Sequence, residues 1–329
     1  MKRRGKAVLA VALAVAGLTT AVTGTAAAAG CTWTRGALPL PAGSTRGYVT
    51  GAANGGWFVG SGSTTDAVRW HGGQVENLGQ ALGRQTQLTD VNSSGVAVGY
   101  TYVETFRDGA FVHRGGRFER LPTPSGYRTS WGKAINDAGD VVGMASGIGD
   151  TFDLVLWPAA TPGTPVVVNP DPALYSYVSP IDVDEQGRIL LFAEGAETAH
   201  FVRHPDGALT RLAVRTTYVD AFRNGRVSGE LYENRAYTTV EWDLDGQVVR
   251  RLGVRATETV VDSGTLTVGT YRTADKGYAL GVWDGGVLAD TLVANQDGTF
   301  GRPVITDDGV VAVHDDSAGT ITTFTRACS

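Results

Sequence analysis

The chain has 329 residues, with 28 basic against 33 acidic side chains and a formal charge of −5. Scattered Lys and Arg in an acidic chain exclude a nucleic-acid partner, which needs clustered cations. A composition 42% hydrophobic and 19% charged excludes disorder, and the length suffices for one large β domain or two domains.

Met1–Ala29 reads as a secretory signal. Lys2, Arg3, Arg4 and Lys6 precede an apolar run, Ala7–Leu18, and then small residues ending in Ala26 to Ala29. The run is about 12 residues, where a bilayer span needs roughly 20, and no later segment is long enough. The expected product is a soluble, secreted, extracellular protein without a membrane span. Arg3-Arg4 leaves the twin-arginine route open beside the general secretory one. Removing the leader leaves 24 basic and 33 acidic side chains.

Two cysteines remain, Cys31 and Cys328, at the ends of the mature chain. In an oxidising compartment a disulfide between them is expected. The alternative is a lipidated Cys31, but Ala28 stands where lipoprotein signals usually carry a large aliphatic residue.

The mature chain then repeats itself. Each copy has a short apolar strand, Asn/Asp-x-x-Gly, a second strand often ending in Gly, a polar loop, a strand often ending in Trp, and a last strand. Asp90–Gly99, followed by Ala110–His113 and Phe118–Leu121, is one clear copy. Ala134–Gly143, followed by Asp153–Trp157 and Pro165–Asn169, is another. The units run approximately over 47–79, 86–122, 128–169, 176–212, 217–252, 257–292 and 300–328, the last completed by 31–41. Their mean spacing is about 42 residues, which suits four strands per unit of a propeller. Asn or Asp, then Gly, supports the tight turn, and no segment holds a sustained helical period. The expected fold is all-β: a seven-bladed β-propeller of four-stranded antiparallel blades, forming a single domain over 30–329. The short last unit is closed by the N-terminal strand Thr34–Pro41, which sets Cys31 near Cys328. A β-solenoid is the alternative architecture. Trp70, Trp157, Trp242 and Trp283 end third strands and are expected in the core.

Asn136–Gly143 and Asp90–Gly99, with Ala110–His113 and Ala67–Trp70, resemble the repeats of extracellular HAF-repeat proteins. Those repeats join an Ile-Asn-x-x-Gly-x-Val-Val-Gly turn to an Ala-Phe-x-Trp strand. The resemblance covers nearly all of the mature chain but is strict in two or three copies. Leu191 replaces the usual Gly, and Asn224-Gly225 shortens a turn. It implies a secreted β-propeller and no particular activity.

Catalytic motifs are absent: no Gly-x-Ser-x-Gly, His-Glu-x-x-His, Cys-x-x-Cys or phosphate loop occurs. No cofactor and no metal are expected. Asp182–Gly187 and Glu241–Gly246 imitate calcium loops, but the first lacks the closing Glu and the second is a hairpin turn around a core Trp. Asp90, Asp182 and Asp220 fall five residues before the repeat Gly in three units. They either accept hydrogen bonds from neighbouring strands or serve as acid–base carboxylates.

All 11 tyrosines sort to one face, in or beside the loops joining second to third strands and fourth to first strands. Tyrosine, rigid and amphipathic, suits sugar stacking and peptide recognition. The candidate ligand contacts are Tyr102, Trp131, Tyr177, Tyr232, Tyr271, Arg235 and Arg272, with Arg107 beside Trp131. The leading reading is a monomeric, non-catalytic, secreted propeller that binds a glycan, peptide or small molecule on this face. An extracellular hydrolase or lyase and a structural envelope module are the alternatives.

Overall fold

The computed structural model describes residues 30–328 apart from 64, 65, 104, 105, 148–150, 213–215 and 296–299. The expected leader, 1–29, lies outside the described residues. What is described is all-β, the single helical segment being a 3-10 turn at Ala81–Gly83. Among the described residues no helix is long and apolar enough to cross a membrane.

The strands group in antiparallel fours. The first unit holds Gly47–Ala53, Trp57–Gly62, Ala67–His71 and Gln74–Gly79, and the second Thr86–Val91, Ala97–Val103, Phe106–Arg114 and Arg117–Arg120. The third holds Thr129–Ile135, Val141–Ser146, Phe152–Trp157 and Val166–Val167, and the fourth Tyr175–Val183, Ile189–Gly195, Thr198–Arg203 and Leu209–Arg211. These two share one sheet through a single parallel pairing, Phe152 with Tyr177. The fifth holds Thr216–Arg223, Arg226–Glu233, Ala236–Trp242 and Val248–Arg251, and the sixth Ala256–Val261, Leu266–Arg272, Tyr278–Asp284 and Val287–Asn295. The last combines Val304–Ile305, Val310–His314 and Ile321–Cys328 with the N-terminal strand Cys31–Leu38. In that pairing Cys31 stands opposite Cys328, and the two form a disulfide with Cα atoms 4.1 Å apart.

Local chemistry explains the recurring turn. The Asn92 Oδ1 accepts the N–H groups of Ser94 and Val96 at 3.2 and 3.0 Å, and Asn136 Oδ1 accepts that of Asp140 at 2.8 Å. Asp184 and Asp262 do the same for Arg188 and Leu266, both at 2.9 Å. The side chain thus supplies an acceptor where the ladder ends. Gly95 and Gly139 follow in left-handed backbone, φ +73° and +90°, which a Cβ would disfavour. The calcium-like strings are turns of this kind: Asp184 is also paired with Arg188, and Asp243 accepts the N–H groups of Asp245 and Gln247.

The first strands carry a second repeating device. Their pairing with the second strands slips by one or two residues at Thr50, Thr89, Lys133, Ile181, Asp220 and Glu258–Thr259. A bulge bends the strand and frees polar groups to bond sideways. Thr50 Oγ1 donates to the Leu88 carbonyl of the next unit at 2.8 Å, and Thr89 Oγ1 to that of Gly132 at 3.3 Å. The bulge also explains the glycine ending the second strand: a Cβ on Gly99 or Gly143 would run into the carbonyl oxygen of Gln87 or Trp131. Asp220 departs from its expected alignment. The two-residue Asn224-Gly225 turn moves it onto the bulge, whereas Asp90 and Asp182 pair just after theirs.

First strands of successive units touch, and Gly47–Ala53 also touches Val304–Ile305 of the last unit. Between units lie apolar clusters, and Trp70, Trp157, Trp242 and Trp283 are fully buried in them, as expected. The Trp70 and Trp157 indoles donate to the carbonyls of Pro39 and Pro122 at 2.7 and 2.8 Å.

Candidate functional site

The first strands of all seven units line one cavity of about 320 Å³, within the range of roughly 300–1,000 Å³ usual for small-ligand sites. Arg223 lines its turn-side end. That guanidinium lies 2.9 Å from Asp307 in the last unit's turn and 4.0 Å from Glu185 in the fourth unit's turn. Burial works against the Arg223 charge. The bond to Asp307, with Asp182 and Asp90 behind it, overcomes that and holds its pKa above the ordinary arginine range. Asp307 is held below the carboxylate range by the same contact, against the cost of burial.

Above Arg223 the wall carries two carboxyls. Burial, followed by the charge of Asp182, pushes Asp90 up to about 8. Asp182 is raised to about 6, again by burial first, with Arg223 pulling the other way. The two titrate as a coupled pair, both carboxyls raised chiefly by burial. The hydrogen-bonding reading holds for Asp90 and Asp220. Asp90 Oδ2 accepts the Ile135 N–H of the next unit at 2.9 Å, and Asp220 Oδ2 accepts the N–H and hydroxyl of Thr259 at 3.2 and 3.0 Å. Among the described residues Asp182 bonds only within its own strand, to the Val183 N–H at 2.8 Å.

The opposite end is cationic and aromatic. Lys133 projects from the third unit's bulge, its pKa lowered by burial and then by Arg302 and Arg107. Arg302 donates to the Asp220 carbonyl from just ahead of the last unit. Arg107 lies 5.1 Å from the Tyr100 ring centre and 5.7 Å from that of Trp131. Behind this pair the rings continue: Tyr102 meets Tyr100 at 5.2 Å, Phe152 meets Trp131 at 6.0 Å, and Tyr177 meets Phe152 at 5.4 Å.

Of the seven expected contacts, the structure brings Tyr102, Trp131 and Tyr177 into one aromatic cluster across the second to fourth units. Only Trp131 lines the cavity itself. Tyr232 packs on Tyr237 at 4.8 Å, and Tyr271 on Trp283 at 5.5 Å, in the fifth and sixth units. Arg235 sits in an exposed turn at φ +66°, and Arg272 is exposed at the end of its strand. These four lie apart from the cavity. Lys133, Arg223 and Arg302 went unremarked in the sequence. The signal for Lys133 was its place directly before Ala134, matched by Thr89 before Asp90. Among the described residues no group of three or more His, Cys, Asp or Glu is placed to hold a metal ion.

No family model matches the chain, and no curated protein matches it in sequence. Solved structures do match in shape. A streptogramin B lyase structure covers 90% of this chain and 98% of its own at TM-score 0.50 and 11% identity. A chain of the mitotic checkpoint complex covers 99% and 100% at TM-score 0.55 and 11% identity. A prolyl endopeptidase structure covers 86% of this chain but 50% of its own, at TM-score 0.56 and 12% identity. At such identities the likeness extends to the fold alone, and the fold is all-β and β-propeller-like.

Proposed function

We propose that the chain is an exported seven-bladed propeller that binds a small ligand in its axial cavity without transforming it. The observation that carries this reading is the cavity itself: seven first strands converge on it, and an aromatic wall with Arg107 stands at its open end. Closure is supported by the last unit, which bonds the first at its inner turn and takes its outermost strand from the N-terminus. Export is supported by the basic-apolar leader and the terminal disulfide. A glycan array probed with the protein purified from Gly30 onward tests the binding. Saturable recognition of a narrow set of glycans is expected, and a blank array removes glycans as the ligand class.

A second reading has one observation in its favour. Asp90 and Asp182 form a carboxyl pair with pKa values pushed apart, as acid–base catalysis requires. It predicts turnover of an extracellular polysaccharide that Asp182→Asn abolishes. Binding without turnover rules it out.

A further inference from the structure

The cavity wall has an uneven charge. Arg107, Lys133, Arg223 and Arg302 face it, against Asp90 and Asp182. Arg223 is paired with Asp307 at the turn-side end, and burial raises both Asp90 and Asp182, which favours their neutral forms. At the open end three cations remain. The forces on Lys133 are burial and the charges of its neighbours; no hydrogen bond or ion pair holds its ammonium among the described residues. Arg107 rests on two ring faces, and Arg302 is held by the neutral Asp220 carbonyl, with Asp220 and Glu258 nearby. The three side chains are open to the cavity, Asp182 attracts Lys133 and Arg302 without contact, and the like charges repel one another; an anion between them would relieve that repulsion.

Resting on the reading of the cavity as a binding site, we propose that its ligand is a small anion: a carboxylate or phosphate monoester on a polyol or sugar body. The anionic group sits between Lys133, Arg302 and Arg107. The body reaches down toward Asp90 and Asp182, whose proton and lone pairs suit hydroxyl groups. One ring face lies along Trp131 and Tyr100, beside the guanidinium. A cavity of about 320 Å³ takes one or two sugar rings. A neutral glycan would leave the mutual repulsion of the three cations unrelieved, which favours the anion over it. The overall acidity of the chain is consistent with a recessed cationic site that selects a small anion and not a polyanion.

Calorimetry with D-galacturonate, D-glucose 6-phosphate and D-glucose tests the proposal. At least one of the two anions should bind saturably, and glucose at least tenfold more weakly. Lys133→Gln should weaken the anion at least tenfold, and Lys133→Arg should restore most of it. The galacturonate and glucose 6-phosphate arms distinguish a sugar acid from a sugar phosphate. Equal affinity for glucose and the anions, lost on Tyr100→Ala, overturns the anion assignment and leaves the binding reading standing. No saturable binding of any of the three, or affinity unchanged in Lys133→Gln, also overturns the assignment, and saturable binding on the glycan array would still leave the binding reading standing.

Discussion

Asn54 of the first unit and Asp307 of the last, 253 residues apart in sequence, bond each other twice. Asn54 Oδ1 accepts the Asp307 N–H at 2.7 Å, and its Nδ2 donates to the Asp307 carboxylate at 3.1 Å. The same link recurs between neighbours: Ser93 N–H meets the Asp137 carboxylate, Asp137 N–H the Glu185 carboxylate, and Ser263 N–H the Asp307 carboxylate, each at 2.7 Å. The side chain at the second turn position, Asp137, Glu185, Asp307 or Asn54, thus serves the preceding unit, and the contact between last and first units is one more step of the series. Asn54→Ala removes both bonds and should cost about 1–3 kcal/mol. Chemical denaturation with an unchanged m-value would register it.

The disulfide acts on the same junction from the other side of the last unit. With Cys31 and Cys328 separated by 297 residues, the chain-entropy model gives an upper figure of about 5–6 kcal/mol. Cys31→Ser with Cys328→Ser should lower the melting temperature strongly, and added reductant should lower that of the native protein and leave the double variant unmoved. Titration of two free thiols in the native protein would contradict the pairing.

The four buried tryptophans should not respond alike. Trp70 and Trp157 each lose an indole bond to a proline carbonyl on replacement by Phe, whereas among the described residues Trp283 has no partner for its indole nitrogen. The cavity left behind is similar in each case. Trp70→Phe and Trp157→Phe are therefore expected to cost about 1 kcal/mol more than Trp283→Phe, the net worth of one buried hydrogen bond. Thermal unfolding of the three single variants provides the comparison.

Glu241, fully buried, is held between Arg226 and Arg250, each at 2.9 Å. Arg226 reaches on to Asp262 at 3.0 Å in the next unit. Removing the carboxylate leaves Arg250 without its partner and Arg226 with Asp262 alone. Glu241→Ala should cost about 3–5 kcal/mol. The exposed pair Arg251–Glu233, 3.0 Å apart, is the control, and Glu233→Ala should stay within about 1 kcal/mol.

Stability should fall as pH rises through the titration of the aspartate pair. Asp90 is raised from 3.8 to about 8 by burial and Asp182, against the bonds from Ile135 and Val91 and the charge of Arg223. A carboxyl raised in the folded state stabilises fully below its unfolded pKa, and that stability is lost as pH climbs toward the folded value. Asp90→Asn should match the native protein near pH 4 and exceed it near pH 8. A native protein equally stable at both values, with the variant parallel to it, would show that the pair is already ionised.

Much of the fold was legible because its determinants are local. Asn92, Asn136, Asp184 and Asp262 cap their own turns, so spacing alone revealed the units, and the third-strand tryptophans marked the core. The cavity was less legible. Lys133 looks like one more strand residue, and only the bulge turns it toward the centre. Arg223 takes its role from Asp307 and Glu185, far away in sequence. Sorting tyrosines by loop identified the end of each strand but not its distance around the molecule, so Tyr232 and Tyr271 were grouped with residues several units away.

That separation gives the last prediction. Tyr102 and Tyr177 stand behind the cavity wall, half-buried in the cluster of Tyr100, Trp131 and Met144, while Tyr232 is exposed against Tyr237. If the aromatic wall shapes the site, Tyr102→Ala and Tyr177→Ala weaken ligand binding several-fold. Tyr232→Ala, Arg235→Ala and Arg272→Ala leave it unchanged. Trp131 is a different case, being 6% exposed and packed between units. Its replacement by Ala should cost about 3–5 kcal/mol as well as binding, so it cannot serve as a pure binding variant. Titration of the five variants with the best ligand from the array separates the two groups. A loss at Tyr232 or Arg272 equal to that at Tyr102 would move the site away from the cavity and onto the rim of the fifth and sixth units.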